Sequence, residues 1–283
     1  MPDIRSESPA RRAMRRFLHN PSAMISLFVL LVIALSCIAA PVLTHYQYNT
    51  IDIDHMKEAP SREHIFGTDN LGRDLFARIL HGGRLTLKIS FTAVLLAALG
   101  IVPGLIAGYV GGRTDAVISG LMDGISSIPS ILLCVFIENA FGWGRGYYRY
   151  AMALALMPPF VRLTRSLVMN IKGEEYIEAA RALGVSGGKI ITRHVLRNIA
   201  SPLIVYFTNA CADSLIMCTV LGYLSISVNP PTPEWGNMVS TGYRWLRVQP
   251  NAALVPCGAI VIFVLAVNVF GSGLRDALDV EER

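Results

Sequence analysis

The chain has 283 residues, 53% of them hydrophobic and only 16% charged, with a formal net charge of +5 at pH 7. A soluble domain of this size carries about 25% charged residues, and the mean hydropathy here is +0.47. Those values exclude an ordinary soluble domain and assign the apolar surplus to lipid.

In chain order, a basic lead, "RRAMRRF", precedes "AMISLFVLLVIALSCIAAPVL", residues 23–43, which carries no charge. About 20 apolar residues cross a bilayer core. The run is longer than the 7–15 residues of a signal-peptide core, so it reads as an anchor span, although the paired arginines invite a twin-arginine reading. Five more runs follow at 89–110, 116–137, 150–168, 203–221 and 252–272. Asp123, Arg162, Arg165 and Asp213 interrupt the middle three. The expectation is an all-α polytopic membrane protein with six transmembrane helices.

Orientation follows from Lys and Arg. With the N-terminus inside, 15 of the 25 basic residues fall on the cytoplasmic side, and the 44–83 loop is net acidic. This gives an N-in/C-in layout. Residues 1–22 form a cytoplasmic tail, 23–43 the first anchor span and 44–88 an extracytoplasmic loop. Residues 89–272 form a five-helix core with a cytoplasmic loop at 169–201, and 273–283 a cytoplasmic tail.

In the outer loop, Asp69 is placed to cap a helix starting near Asn70. Leu71, Leu75, Phe76 and Ile79 share one face of it, Arg73, Asp74 and Arg78 are polar, and Gly82-Gly83 ends it. The pattern reads as an interfacial amphipathic helix leading into the second span. Within that span Gly100, Gly104, Gly108 and Gly112 recur every four residues, a small ridge that lets helices approach closely in lipid. Gly120 and Gly124 repeat the spacing. Packing between spans two and three accounts for the ridge, and contact with a partner subunit is the alternative. Pro129, Pro158 and Pro159 interrupt span interiors and should kink them.

Carboxylates at membrane depth face the bundle interior and are functional candidates. Asp123, near "SSIPS", fits a structural bond to a neighbouring helix. Asp213, beside Asn209 in "NACADSLIM", fits either that role or a place on a translocation path, and these three residues are the candidates for lining one.

The stretch "EEYIEAARALGV", 174–185, is charged and helix-prone although it lies between two spans. Glu174, Glu175 and Glu178 favour its N-terminal end through the helix dipole. Ile177, Ala180 and Gly184 form a narrow face of apolar and small residues, and Gly184 suits a left-handed stop. Ser186 is placed to cap a second helix, with Ile191, Val195 and Ile199 as an apolar stripe and Lys189, Arg193 and Arg197 as a basic one. That basic stripe suits anionic headgroups or an acidic protein surface. The small face of the first helix suits insertion into a groove on another protein, and a solvated loop helix is the plain alternative.

No enzymatic constellation accompanies these features. The chain lacks GxxxxGK[ST] and HExxH, so it has no phosphate-binding loop for ATP. Cys37, Cys134, Cys211, Cys218 and Cys257 lie in or beside apolar runs and read as small hydrophobic side chains. His45, His55 and His64 share the outer loop at spacings unlike a zinc site.

"EYIEAARALGVSGGKIITRHVL" resembles the EAA motif of importer-type ABC permeases. "HIFGTDNLGRDLFARILHGGR", "AGYVGGRTD", "PPTPEWGNM" and "GLRDALD" resemble the dipeptide/oligopeptide/nickel permease family, in its C-type half. The resemblance runs from about residue 20 to 280. It implies a type I importer permease fold in a bacterial inner membrane and a coupling role for Glu178, Ala179, Ala180, Arg181 and Gly184. Its implied partners are a homologous permease, two cytoplasmic ATPases and an extracytoplasmic binding protein, with membrane lipid around the spans. It implies no cofactor on this chain, ATP and Mg belonging to the ATPases, and it gives no role to nucleic acid. Departures are Arg197 where the family has proline, Cys218 where it has glutamate, Ser225 and Ser227 in place of glycines, "PCG" at 256–258 in place of Pro-Gly, and Ser272 for aspartate. The expected function is import of short peptides, with nickel or another small solute as the alternative. An ion-gradient-driven secondary transporter is a rival of a different class, with Asp213 as its carrier group.

Overall fold

A computed structural model describes residues 9–141 and 147–278. Arg5 and Arg283, both counted for orientation, Arg145 of the outer set, and the last residue of "GLRDALD" lie outside the described residues. Those described are helical apart from turns, loops and one isolated bridge between Thr68 and Asp74.

Five stretches are long and apolar enough to cross a membrane: Pro21–Ile38, Leu75–Val110, Tyr148–Ile171, Gly187–Tyr223 and Asn251–Leu278. The first is α2. It follows a short helix α1 (Pro9–Leu18) and precedes a one-turn helix α3 (Ala40–Leu43). Asn20 caps α2 by accepting the Ala23 N–H at 3.3 Å. Along α2, Ile25, Phe28, Leu31, Val32, Leu35 and Ile38 stay exposed. In water that would be an aggregation hazard, but for a span it is the lipid face.

The second stretch is α4 (Leu75–Ala97), a short 3₁₀ turn, and α5 (Ile101–Val110). Its 36 residues rise about 54 Å at 1.5 Å each, more than the roughly 30 Å of a hydrocarbon core. The expected separate amphipathic helix is therefore the N-terminal end of the span itself. Asp74, not Asp69, is its N-cap, accepting the Ala77 N–H at 2.6 Å. Gly82-Gly83 does not end the helix. A Cβ on Gly83 would lie 2.5 Å from the Cys37 Sγ and 2.6 Å from the Trp235 ring, so this glycine serves close packing.

The glycine ridge packs on the fourth span rather than the third. Cβ atoms on Gly100, Gly104 and Gly108 would lie 2.7–2.9 Å from Met157, Thr164 and Val168 of α8 (Tyr148–Ile171). Gly120 and Gly124 meet nothing within 4 Å.

The third run is not one straight span. It divides into α6 (Gly112–Ser126) and α7 (Ser130–Phe141), bent by 84°. Pro129 supplies the break, because it lacks an N–H and pushes the residue before it away from helical geometry. α8, by contrast, runs through Pro158 and Pro159 as one helix.

After α8 come α9 (Glu175–Ala182), the short α10 (Gly187–Lys189), a π-helical segment Ile190–Val195, and α11 (Leu196–Tyr223). The chain closes with α12 (Trp235–Tyr243) and α13 (Asn251–Leu278). α4 and α5 pack on α8, and α11 packs on α4, α8, α12 and α13; α13 also holds α2.

Candidate coupling loop and transport face

Val168, Ile177, Ala180, Ile190, Val195, Ile199 and Leu203 form one core at the ends of α8 and α11. The π segment sets this register. Its wider turn separates Ile190 from Val195 by five residues, after which Ile199 and Leu203 follow at four. Ile190 is fully buried and takes the inward position expected for Ile191, which is only partly buried. Lys189, Arg193 and Arg197 remain exposed as a stripe. With Arg197 in place of a proline, the helical run from Gly187 continues unbroken to Tyr223.

α9 is fixed on this core. Ile177 is fully buried and Ala180 is 8% exposed. The small face expected to enter a partner's groove is thus turned into its own chain. Burial of an isoleucine contributes about 1.5–3 kcal/mol, which offsets part of the entropy of ordering so short a helix. Asn198 donates to the Tyr176 hydroxyl at 2.7 Å, and the Arg181 guanidinium lies 6.0 Å from the Tyr109 ring. Gly184 has φ +77. The Val185 N–H donates to Ala180 O at 3.1 Å and the Gly184 N–H to Arg181 O at 3.0 Å, the paired bonds of a Schellman stop. Ser186 sits at the N-cap position of α10, but its side chain makes no capping bond.

The outward face of α9 carries Tyr176, Ala179 and Leu183, three and four apart, with Glu178 and Arg181 exposed beside them. Leu183 is 83% exposed.

Asp213 is exposed on α11 rather than enclosed in the bundle. Pro202, Tyr206, Asn209, Asp213, Ile216, Val220 and Tyr223 recur at alternating steps of four and three and form one stripe along that helix. None of them is buried. At one end the stripe borders a cleft of ≈ 310 Å³, where Tyr206 and Asn209 meet Leu163, Arg275 and Leu278. Asp123 lies apart on α6, where it pairs with Arg162 at 3.5 Å. Asp115 of α6 makes a two-point ion pair with Arg165, whose Nη2 donates to Oδ2 at 2.6 Å. Asp115 and Asp123 of α6 are thus each matched by an arginine of α8.

On the opposite side, the "HIFGTDNLGRD" segment folds as a buried charge lock. His64 Nδ1 lies 2.8 Å from Asp74 Oδ2. Asp69 accepts from the Leu71 and Arg73 N–H groups at 2.8 and 3.1 Å and from Arg73 Nε at 2.7 Å. Arg78 lies 3.5 Å from the same carboxylate and donates to Tyr48 O at 2.9 Å. Arg73, Asp74 and Arg78 are therefore interior groups, not the polar face of a surface helix. Trp235, 1% exposed, donates its indole N–H to Ile79 O at 2.9 Å. Glu234 is fully buried and accepts from the Gly236 and Asn237 N–H groups at 2.9 and 3.0 Å and from Thr86 at 3.2 Å. Burial raises its carboxyl to about 7 despite those bonds. Sequence reasoning gave these two residues no role. The available signal was a carboxylate and a tryptophan set between a proline and a glycine, a composition unlike a solvated loop.

A bundle of five long spans and one broken span, with an anchored helix protruding from one end, is the architecture of an ABC-importer permease subunit. Residues 100–281 match the binding-protein-dependent transport system inner membrane component family, and residues 8–60 match the N-terminal TM domain of oligopeptide transport permease C. The chain belongs to the binding-protein-dependent inner-membrane permease family. It is 39% identical to a dipeptide transport system permease protein of Alkalihalophilus pseudofirmus, over 96% of this chain and 90% of that protein. It is 37% identical to a glutathione transport system permease protein of Pectobacterium atrosepticum, over 99% and 94%. The MetNI methionine ABC transporter in an inward-facing conformation shares the fold at TM-score 0.55 and 18% identity, covering 71% of this chain and 95% of the other. The chain is accordingly a multi-pass inner-membrane transport subunit and not an enzyme. Membership implies ATPase and binding-protein partners.

Proposed function

We propose that this subunit imports short peptides, with the N-terminus, the C-terminus and the 169–201 loop in the cytoplasm. The relatives named for dipeptide and glutathione transport support peptides over nickel or another small solute. The observation that carries the mechanism is α9, held on the ends of α5, α8 and α11 while Tyr176, Ala179 and Leu183 face outward. Two cytoplasmic ATPases, which bind ATP and Mg, dock on that face near Glu178, Arg181 and the stop at Gly184. Because Ile177 and Ala180 tie the helix to the spans, a push on α9 moves the bundle instead of bending a loop. Alternating access follows.

The second, homologous permease covers the α11 stripe and the open Gly120/Gly124 ridge. Asn209 and Asp213 then line the path between the two subunits, while Asp123 holds α6 to α8. An extracytoplasmic binding protein delivers substrate to the side closed by the charge lock. Uptake of defined di- and tripeptides and of nickel, in cells with and without this chain, tests the reading. Peptide uptake that is unaffected by deletion removes it.

A further inference from the structure

Val220, Tyr223 and Leu224 of α11, Val239 of α12, and Cys257 and Ile260 of α13 line a cleft of ≈ 300 Å³. Its lining is almost wholly apolar. The floor helix α12 is fixed in place. Its Gly236 leaves no room for a Cβ against Thr219 O, and the buried Glu234 carboxylate accepts the Gly236 and Asn237 N–H groups. The recess is therefore preformed, as ligand sites usually are. Such sites run from roughly 300 to 1,000 Å³, so this one is sized for part of a short peptide and not for the whole.

Val220 and Tyr223 belong to the α11 stripe as well as to the cleft, so the two surfaces are continuous. Tyr223 ends α11, a rise of about 15 Å beyond Asp213. In the orientation proposed above this is the outer end of the stripe, which substrate reaches first. Among the described residues, the side chains of Tyr206, Asn209, Asp213 and Tyr223 take part in no hydrogen bond or ion pair. Polar groups at membrane depth need partners, and an acyl chain has none to give. A peptide does, because its backbone carries a donor and an acceptor at each residue. Its side chains project at intervals of about 3.3–3.6 Å, and an apolar one needs a recess beside the polar row. The cleft supplies that recess.

We propose that this cleft is a subsite for one apolar side chain of the imported peptide, whose backbone lies along the α11 stripe. The inference rests on the peptide reading above and adds a specificity determinant to it. A leucine or phenylalanine side chain fills the recess and glycine leaves it empty. A charged side chain is excluded by the cost of desolvation. Val239 and Cys257, on helices other than α11, set the depth of the recess.

Cys257 reports on the site directly. It is partly exposed, as is Cys211, while Cys37, Cys134 and Cys218 are buried. Cys211 borders a separate apolar cleft between α2, α4, α11 and α13 and serves as the internal control. The complete complex, with its binding protein, is held in lipid nanodiscs and treated with N-ethylmaleimide, and modification at each cysteine is counted by peptide mass spectrometry. Saturating trileucine should slow modification of Cys257 several-fold and leave Cys211 unchanged, and triglycine should slow neither. In cells, Val239→Phe fills the recess and should lower the ratio of trileucine to triglycine uptake by at least about tenfold, the usual worth of a lost apolar pocket contact. Absent or equal protection by the two peptides overturns the subsite, and so does protection of Cys211 alongside Cys257. An unchanged uptake ratio in an assembled Val239→Phe complex overturns it as well. If that variant fails to assemble, the labelling of the native complex decides. A native complex that takes up neither peptide removes the peptide reading and the subsite with it, whereas uptake of both without selective protection removes the subsite alone.

Discussion

The carboxylate of Glu234 occupies the space in which a side chain at Gly222 would begin: a Cβ there would lie 1.7 Å from Oε2. The same helix end accepts Gly236, whose Cβ would lie 2.0 Å from Thr219 O. The C-terminal end of α11 and the N-terminal end of α12 therefore interlock without room for a methyl group on either glycine. Gly222→Ala should expel the carboxylate and leave the Gly236 and Asn237 N–H groups unpaired. Each buried orphan costs about 1–3 kcal/mol, so a loss of several kcal/mol is expected, read as a lowered Tm of the detergent-solubilised protein. A variant with unchanged Tm contradicts the interlock.

Glu234 also predicts a pH dependence. Its carboxyl titrates at about 7 in the folded chain against an ordinary value of 4.5. The folded state thus holds the proton more tightly than the unfolded one. The resulting stability is fully present below 4.5 and is lost as pH rises through about 7. At 1.36 kcal/mol per unit, the span is about 3 kcal/mol. Melting temperature should fall between pH 5 and 7.5 in the native protein and lose that component in Glu234→Gln. An identical slope in both proteins would assign the pH dependence to other groups.

The coupling helix gives a prediction in which inward and outward substitutions differ. Leu183→Asp and Ala179→Arg alter only the exposed face of α9. They should abolish uptake and ATPase association while leaving Tm and membrane level near native. Ala180→Arg drives a charge into the core with Ile177 and Ile190, so it should stop uptake and also lower stability by about 1–3 kcal/mol. Normal uptake by Leu183→Asp in an intact complex is incompatible with the docking face assigned here.

The contrast between Ala180 and Leu183 also shows which parts of the protein were legible in sequence. Hydropathy located the membrane runs because lipid demands length and continuity, and Gly184 announced the end of α9 because few residues accept φ near +77. Periodicity could not say which side of α9 faces inward. Small residues serve equally to seat a helix on its own chain and to enter another. Ile190 replaced Ile191 for a related reason: a π turn shifts the register, and no 3.6-residue pattern encodes it. The outer segment was misread because Arg73, Asp74 and Arg78 are paired in the interior, while amphipathicity assigns charges to water. Glu234 and Asp69 take most of their partners from the next few residues, but the Thr86 contact that fixes Glu234 comes from far away in sequence.

Topology follows from the placement of three exposed or partly exposed loop positions. In a background without the five native cysteines, a cysteine at Ser61 or Thr232 should react with an impermeant thiol reagent applied to intact cells. One at Ser186 should react only after the membrane is opened. Labelling at Ser186 from outside would invert the orientation and separate α9 from any cytoplasmic ATPase.

Asp213 distinguishes ATP-driven import from gradient-driven transport. It is exposed on the α11 stripe with Asn209 and Tyr206 along the same face. If ATP drives the cycle, this carboxyl need not exchange a proton, and its part is to hydrogen-bond substrate or the facing subunit. Asp213→Asn preserves size and hydrogen-bonding capacity while removing the ionisable group. An amide is also cheaper than a charge at membrane depth. The variant should retain substantial uptake that depends on ATP and withstands collapse of the proton gradient alone. A gradient-driven carrier would instead lose accumulation, because its titrating group is gone. Uptake that persists without any ATPase partner, yet stops in Asp213→Asn, would move the protein to the other mechanistic class.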